Sequence, residues 1–285
     1  MVIAFWNINN NTDLGDLLID FVKENSVDIL LLAEADKNLK GKRKCSVDDI
    51  ILDFIVKSKT NLKTKYNVIP NGDFRIKVLS NLKLNAIRLQ RKNIVSSRWT
   101  SFLITIPGKI QFNLFPVHFY SKVNWSENSL ALECVNFSRD IINTEAKTKC
   151  SNSILIGDFN MNPFENGVVA SNGINALQDL NYLKDNPKGR EIDGVFYRYF
   201  YNPMWNYLGD FETPYGTMYH RTSGHISQEW NLYDQIIIRP EMHNYLQKDG
   251  VSIITNIAGQ SLLKSYNKPQ EKFSDHLPIL LKLTI

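Results

Sequence analysis

SILIGDFNMNP, residues 153–163, decides how this chain is read. An apolar run through Ile154, Leu155 and Ile156 reaches Gly157, and an acid, an aromatic and an amide follow where a buried strand should end. Asp158 and Asn160 either make an ordinary polar turn or are carried by a strand to a reaction site, since binding groups collect on loops at the ends of rigid sheets. The stretch by itself leaves both open.

Outward from it, strand and helix signals alternate. VIAFWNI (2–8) reads as a strand. Thr12 is placed to cap a helix carrying Leu14, Leu17, Leu18, Phe21 and Val22 at helical spacing, and DILLLAEAD (28–36) reads as a buried strand. Ser46 opens a second helix with Ile50, Ile51, Phe54 and Ile55 on one face. Strand-like runs follow at 74–81, 84–90, 99–106 and 110–119, the last two joined by a Pro107-Gly108 turn. Ser126 or Asn128 begins a long helix with Leu130, Cys134, Phe137, Ile141 and Ile142 inward. Beyond SILIGDF come a short helix near 163–171, a long irregular region, and strands at 232–239, 251–258 and 278–283. No internal repeat or low-complexity segment interrupts them. Mixed strands with interspersed helices predict packed sheets covered by helices, an α/β or α+β sandwich.

Composition agrees with a single folded unit. A chain of 285 residues can bury a large core, and layered folds with big sheets reach this length undivided, so one domain over 1–285 is expected. No apolar run reaches the roughly 18 residues a membrane span needs. The net charge of +4 is compatible with a polyanionic partner but is spread along the chain. Cys45, Cys134 and Cys150 are odd in number and far apart, which suggests neither a disulfide framework nor a thiolate metal site. With a strand from the second residue and no signal-peptide pattern ahead of it, a cytoplasmic setting is expected.

Polar residues recur where the apolar runs end: Asn7, Glu34, His118, Asp158 with Asn160, Asp234, and Asp275 with His276. Each alone is ordinary. Together, in the blocks FWNIN (5–9), LLLAEAD (30–36), PVHFYS (116–121), ILIGDFN (154–160), LYDQIII (232–238) and FSDHLPI (273–279), they resemble the endonuclease/exonuclease/phosphatase superfamily, the group of the pancreatic deoxyribonuclease and the abasic-site endonucleases. The blocks keep that family's order and span nearly the whole chain. The resemblance implies a four-layer α/β sandwich, two mixed sheets face to face with helices outside, and a site at one edge between the sheets.

It also implies a chemistry that these residue types suit. A phosphodiester repels hydroxide, so a catalyst must neutralise charge, hold a water in line and stabilise the departing oxygen. Glu34 and Asp275, with Asn7, would hold Mg²⁺ or Mn²⁺ through oxygen donors. Asp158 would orient or deprotonate the attacking water, and Asn160 would donate to a phosphate oxygen. His276, paired with Asp234, would donate to the transition state, and His118 would be a second imidazole on the phosphate or leaving-group side.

Some features depart from the family's pattern. Leu232 and Tyr233 precede Asp234 where the family often carries Arg-Ile, and FRIKVLSN (74–81) lacks the Gly-rich character common there, so Arg75 and Lys77 receive no catalytic role. His220, His225 and His243 fall outside the blocks and are read as peripheral. Between Gly194 and Tyr233 the chain is aromatic and basic; Arg198 and Arg221 could contact phosphates while rings stack on bases, or the same rings could pack a long loop onto the sandwich. A nuclease acting on DNA or RNA is the first expectation, with no membrane involvement and nothing that points to a protein partner. A phosphatase or phosphodiesterase of inositol phosphates or phospholipids is the alternative, although no PAWCDR-like block is present; a non-catalytic binding protein retaining the fold is a third. Phosphate loops of the GxxxxGK[ST] type, GxGxxG turns and HExxH helices do not occur.

Overall fold

The expected strands form, and they collect into two large sheets. The first half of the chain supplies β1 (Val2–Asn7), helix α1 (Gly15–Asn25), β2 (Ile29–Ala33), α2 (Asp49–Asn61), β3 (Asn67–Val68), β4 (Ile76–Ser80), β5 (Ile87–Leu89), β6 (Phe102–Thr105) and β7 (Gln111–His118). The second supplies α3 (Glu127–Thr148), β8 (Ser153–Asp158), β9 (Ala176–Leu177), β10 (Phe200–Tyr201), a hairpin of β11 (Met218–His220) and β12 (Glu229–Asn231), β13 (Asp234–Ile238), β14 (Leu246–Ile253) and β15 (Ile279–Leu283). The structure, a computed structural model, describes residues 1–35, 49–62, 64–71, 74–90, 96–186, 188–209, 213–221, 223, 225, 227–264 and 268–285. Asp36, Cys45 and the expected cap at Ser46 lie outside the described residues.

One sheet runs β14-β15-β1-β2-β4-β3 and the other β5-β6-β7-β8-β13-β10-β9. Parallel neighbours need a long crossover, and helices provide it: α1 links β1 to β2, and α3 links β7 to β8. Alternation along β8 sets the layers. Ile154 and Ile156 enter the core shared by both sheets, while Leu155 enters a second core with Phe115, Phe137 and Ile237 beneath α3. On the other sheet Trp6 turns outward to meet Phe21 of α1, ring centres 6.0 Å apart. Each such side chain, buried fully, contributes about 1.5–3 kcal/mol. The architecture is therefore helix, sheet, sheet, helix, the four-layer sandwich expected.

Local expectations fare unevenly. Ser126 caps α3, accepting the Ser129 N–H at 3.3 Å. Thr12 does not cap α1: Asn11 takes the Asp13 N–H in a tight turn, and the helix begins after Leu14 with no side-chain cap. Ile142 is 55% exposed, because Phe137 and Ile141 already occupy the inward stripe and the next residue turns about 100° away. Residues 84–86 form a 3₁₀ turn rather than strand, the short helix covers Asn166–Val169, and β14 ends at Ile253.

Candidate active site

Three neighbouring strands of the second sheet end together. His118 of β7 is in parallel register with Asp158 of β8, which is in antiparallel register with Asp234 of β13. All three lie on the face of Ile156 and Ile236, so the apolar core between the sheets gives way to a polar row where the strands stop. Gly157 makes the row possible. Its φ is +147°, and a Cβ there would sit 2.0 Å from the Val117 carbonyl oxygen, so only glycine lets β8 lie this close to β7.

Asp158 is 1% exposed, and each of its carboxylate oxygens accepts a hydrogen bond. Oδ1 accepts the Asn160 N–H at 2.8 Å, and Oδ2 accepts from Asn7 Nδ2 at 3.2 Å. The same Asn7 nitrogen donates to Glu34 Oε1, also at 3.2 Å, which ties the ends of β1, β2 and β8 together. Asn160 is held in the left-handed region, φ +50°, and gives one amide N–H to the Phe119 carbonyl; an amide carries two such donors, so a second is available to a ligand. Glu34 is likewise left-handed, φ +49°, an unusual placement for a non-glycine residue and one that clusters at functional sites. Its Oε1 lies 3.5 Å from His118 Nε2, and Oε2 accepts from Asn10. The His118 hydrogen bond, against the opposing effect of burial, holds the Glu34 carboxyl down at about 2.

His276 and Asp234 form a buried dyad, Nδ1 to Oδ2 at 2.8 Å. The histidine backbone is fixed from two sides: Ser274 Oγ accepts its N–H while donating to the Asn7 carbonyl, and Trp6 Nε1 donates to its carbonyl at 3.0 Å. The Asp234 N–H is taken by Thr217 Oγ1, and Met218 bridges His276. Burial disfavours the imidazolium, but Asp234, with Asp158 and Asp275 behind it, outweighs burial and pushes the pKa up to about 10. Burial likewise raises Asp158, with Asp234 adding to the shift. Ligand atoms of Asp158, Asp234 and His276 lie within 4.8 Å of one another.

Asn7, Glu34, His118, Asp158, Asn160, Asp234 and His276 are thus brought together. Asp275 stands next to them, half-buried, with Oδ1 3.5 Å from Ser274 Oγ, on a cleft of about 720 Å³ that Lys264 and Lys268 also line. A second cleft, about 560 Å³, opens at Asn160 between Lys122, Phe164, Glu165 and Tyr233; Met218 and His220 border both. Arg198 is elsewhere. It pairs with Glu145 at 3.0 Å and Glu241 at 3.4 Å, near Ser153 and so a strand's length of about 17 Å from Asp158. The aromatic residues beside it, Tyr199, Phe200 and Tyr201, are buried in the sheet edge, so that part of the loop packs rather than binds. Arg221 is exposed beyond β11, where its Nε lies 3.5 Å from Glu229.

A hard divalent cation suits the oxygen-rich side of this site. His276 does not suit it, because a metal-bound imidazole must be unprotonated and Asp234 keeps this one charged. Asp234 Oδ1 is buried with no hydrogen-bond partner among the described residues, an acceptor left over for a ligand. Asn7 presents its N–H groups to the carboxylates and its oxygen to the Asn9 N–H, so acting as an oxygen ligand would require its amide to turn over. Thr217 carried no legible signal, since it lies in irregular sequence; His220, read as peripheral because it falls outside the blocks, borders both clefts, and Tyr233 stood within a block without being given a role. Ser274 stood within one.

This sandwich, with acids, amides and imidazoles converging at one edge between the sheets, has the fold of the endonuclease/exonuclease/phosphatase superfamily. The chain is similar over 100% of its length to an endonuclease/exonuclease/phosphatase family protein from Leptotrichia buccalis C-1013-b, at 17% identity and TM-score 0.56, covering 100% of that chain. It is also similar to an AP endonuclease from Archaeoglobus fulgidus (14% identity, TM-score 0.52, 100% of each chain) and to D. rerio TDP2 complexed with single strand DNA product (13% identity, TM-score 0.52, 100% of this chain and 99% of that one). No family model matches the sequence, and no curated protein does.

Proposed function

We propose that the chain is a divalent-metal-dependent phosphodiester hydrolase acting on nucleic acid through in-line attack of a water on phosphorus. The observation that carries this reading is the row His118, Asp158, Asp234 with His276 hydrogen-bonded to Asp234: carboxylates and imidazoles aimed from adjacent strands into one space. Asp158 would hold the attacking water and accept its proton; burial, by raising its pKa, makes it the stronger base. His276, protonated through neutral pH, would donate to a phosphoryl oxygen as negative charge gathers there, with Asp234 fixing its tautomer. Asn160 would supply a neutral donor to the same group. His118, hydrogen-bonded to Glu34, would stand toward the leaving oxygen. Mg²⁺ or Mn²⁺ held by Glu34 and Asp275, when bound, would neutralise phosphate charge and polarise the phosphoryl oxygen.

Nucleic acid is favoured over a small phosphoester by the two clefts flanking the site, by the lysines on their walls, and by the AP endonuclease and the DNA-complexed TDP2 among proteins of this fold. One panel tests the reading: single-stranded, double-stranded and abasic DNA, RNA and inositol phosphates, each with Mg²⁺, Mn²⁺ or chelator. Metal-dependent cleavage of a nucleic acid is expected. Cleavage that persists unchanged in chelator would reject the mechanism, and turnover of inositol phosphates alone would move the substrate class.

A further inference from the structure

Helix α3 carries a second apolar stripe, which no described residue covers. Its inward side is taken by Leu130, Cys134, Phe137 and Ile141. On the opposite side Leu132 is 69% exposed, Val135 is half-buried, and Ile142 and Ala146 are exposed, with Arg139 among them. The steps from 132 to 135, 139, 142 and 146 alternate three and four residues, the spacing of a coiled-coil seam. Single exposed apolar side chains need no account, but a row of them along one outer helix marks a contact surface. Beside the first half of the stripe runs a groove of about 340 Å³, walled by Ala131, Leu132, Val135, Asn166 and Ala170.

The charges along the helix say what fits there. Glu127 and Glu133 fall in its first half, Arg139 and Lys147 in its second, and Lys149 just past its end. Asp140 and Glu145 leave this division intact, because they turn inward to Trp99 and Arg239. Neither Glu133 nor Arg139 makes an ion pair among the described residues, although Glu133 is near enough to Arg98 to favour its charge. Such a helix complements its own reverse. With a two-fold axis at the level of Phe137, Leu132 falls opposite the partner's Ile142, and Val135 opposite the partner's Arg139. The arginine stem then lies over apolar surface while its guanidinium reaches toward the acidic half of the other helix, where Glu133 stands, and symmetry makes that contact twice. The partner's Ile142 comes level with the groove.

We propose that α3 pairs antiparallel with the α3 of a second copy of this chain, so that the protein forms a two-fold homodimer through Leu132, Val135, Arg139 and Ile142. The area sets its strength. The 22 residues of α3 make a helix about 33 Å long. One strip of that length offers less than the roughly 800 Å² per partner of a standard interface, so a dissociation constant on the order of 100 µM is expected. Glu127, at the start of α3, lines the cleft at Asn160, and the reversed pairing therefore sets the two clefts at opposite ends of the helix pair. The inference stands independently of the hydrolase reading.

Sedimentation velocity on the full chain, over a concentration series that reaches the millimolar range, tests the pairing. Wild type should move from monomer to dimer across the series, and Leu132→Glu should stay monomeric throughout. Glu133→Lys and Arg139→Glu should each weaken association about tenfold, because each sets like charges against one another across the seam. Combined in one chain, the two reversals restore opposite charges, and affinity should return to within about threefold of wild type. All three positions lie outside the core, so melting temperatures should match wild type; should a reversal fail to fold, Leu132→Glu decides. A wild type that remains monomeric at every concentration would overturn the proposal, as would a Leu132→Glu protein that dimerises like wild type. Single reversals that weaken association without recovery in the double variant would reject the antiparallel register. A dimer indifferent to every substitution would place the interface on another face and sink the proposal.

Discussion

At the scale of single residues, the site places two carboxylates side by side in a dry location, and that arrangement is costly to the fold. Asp158 and Asp234 are paired across neighbouring strands at 1% and 0% exposure, with His276 hydrogen-bonded to Asp234 and His118 Nε2 3.9 Å from Asp158 Oδ2 as the imidazoles that face them. Asp158→Asn keeps an oxygen for the Asn160 N–H and removes one buried charge, so its melting temperature should equal or exceed that of wild type, while the rate should fall about 10²–10⁴-fold if Asp158 is the base. A variant that melts much earlier, or that hydrolyses at full rate, contradicts the assignment. His276 gives a second handle. Its pKa is about 10 in the fold against 6.5 for the free side chain, so the folded chain keeps a proton that the unfolded chain has released. The stabilisation is complete below about pH 6.5 and is lost as pH rises toward 10. In chelator, then, the melting temperature of wild type should fall relative to His276→Gln between about pH 7 and about pH 9. Parallel curves would mean that the histidine is neutral in the fold.

At the scale of elements, β8 joins packing to chemistry. Ile154 and Ile156 drive it between the sheets, and the same alternation aims Asp158 at the site, with Gly157 allowing the approach to β7. Gly157→Ala places a methyl against backbone, in a conformation alanine rarely adopts, and should cost more than about 1 kcal/mol. It should depress activity further than the lost stability explains, because His118 and Asp158 cannot both keep their register; denaturation midpoints beside kcat/KM in the folded range would separate the two effects. Much of this was legible in the sequence, for a physical reason: apolar alternation encodes strands, and a polar residue at the end of such a run encodes where the strand stops being core. Asn7, Glu34, His118, Asp158, Asn160, Asp234 and His276 were all readable that way. Thr217 was not, because its hydroxyl matters only through the Asp234 N–H brought to it by a fold contact. Arg198 misled, since a charged residue among aromatics has the same pattern whether its partner is a phosphate or, as here, the carboxylate of Glu145.

At the scale of the molecule, the second sheet has two polar ends with opposite duties. At one end the acids and imidazoles are underpaired, with buried unpartnered atoms on His118 and Asp234. At the other, Glu145 of α3 accepts from Ser153 at the start of β8, from Arg239 just past β13 and from Arg198, closing the helix onto the sheet with nearly every donor matched. Arg239 also donates to the Tyr199 carbonyl and lies 3.8 Å over the Phe200 ring, so a single 2%-exposed guanidinium links three parts of the chain. Matched buried charges are neutral or modest in net worth, but removing one partner strands the other at about 3–5 kcal/mol. Glu145→Ala should therefore lower stability by that order, seen as a shifted urea midpoint at unchanged slope. Because the network lies about a strand's length from Asp158, kcat/KM of the protein that remains folded should hold at the wild-type value. If Glu145→Ala instead cuts the rate while leaving the midpoint in place, the two ends are coupled and this division of duties is wrong.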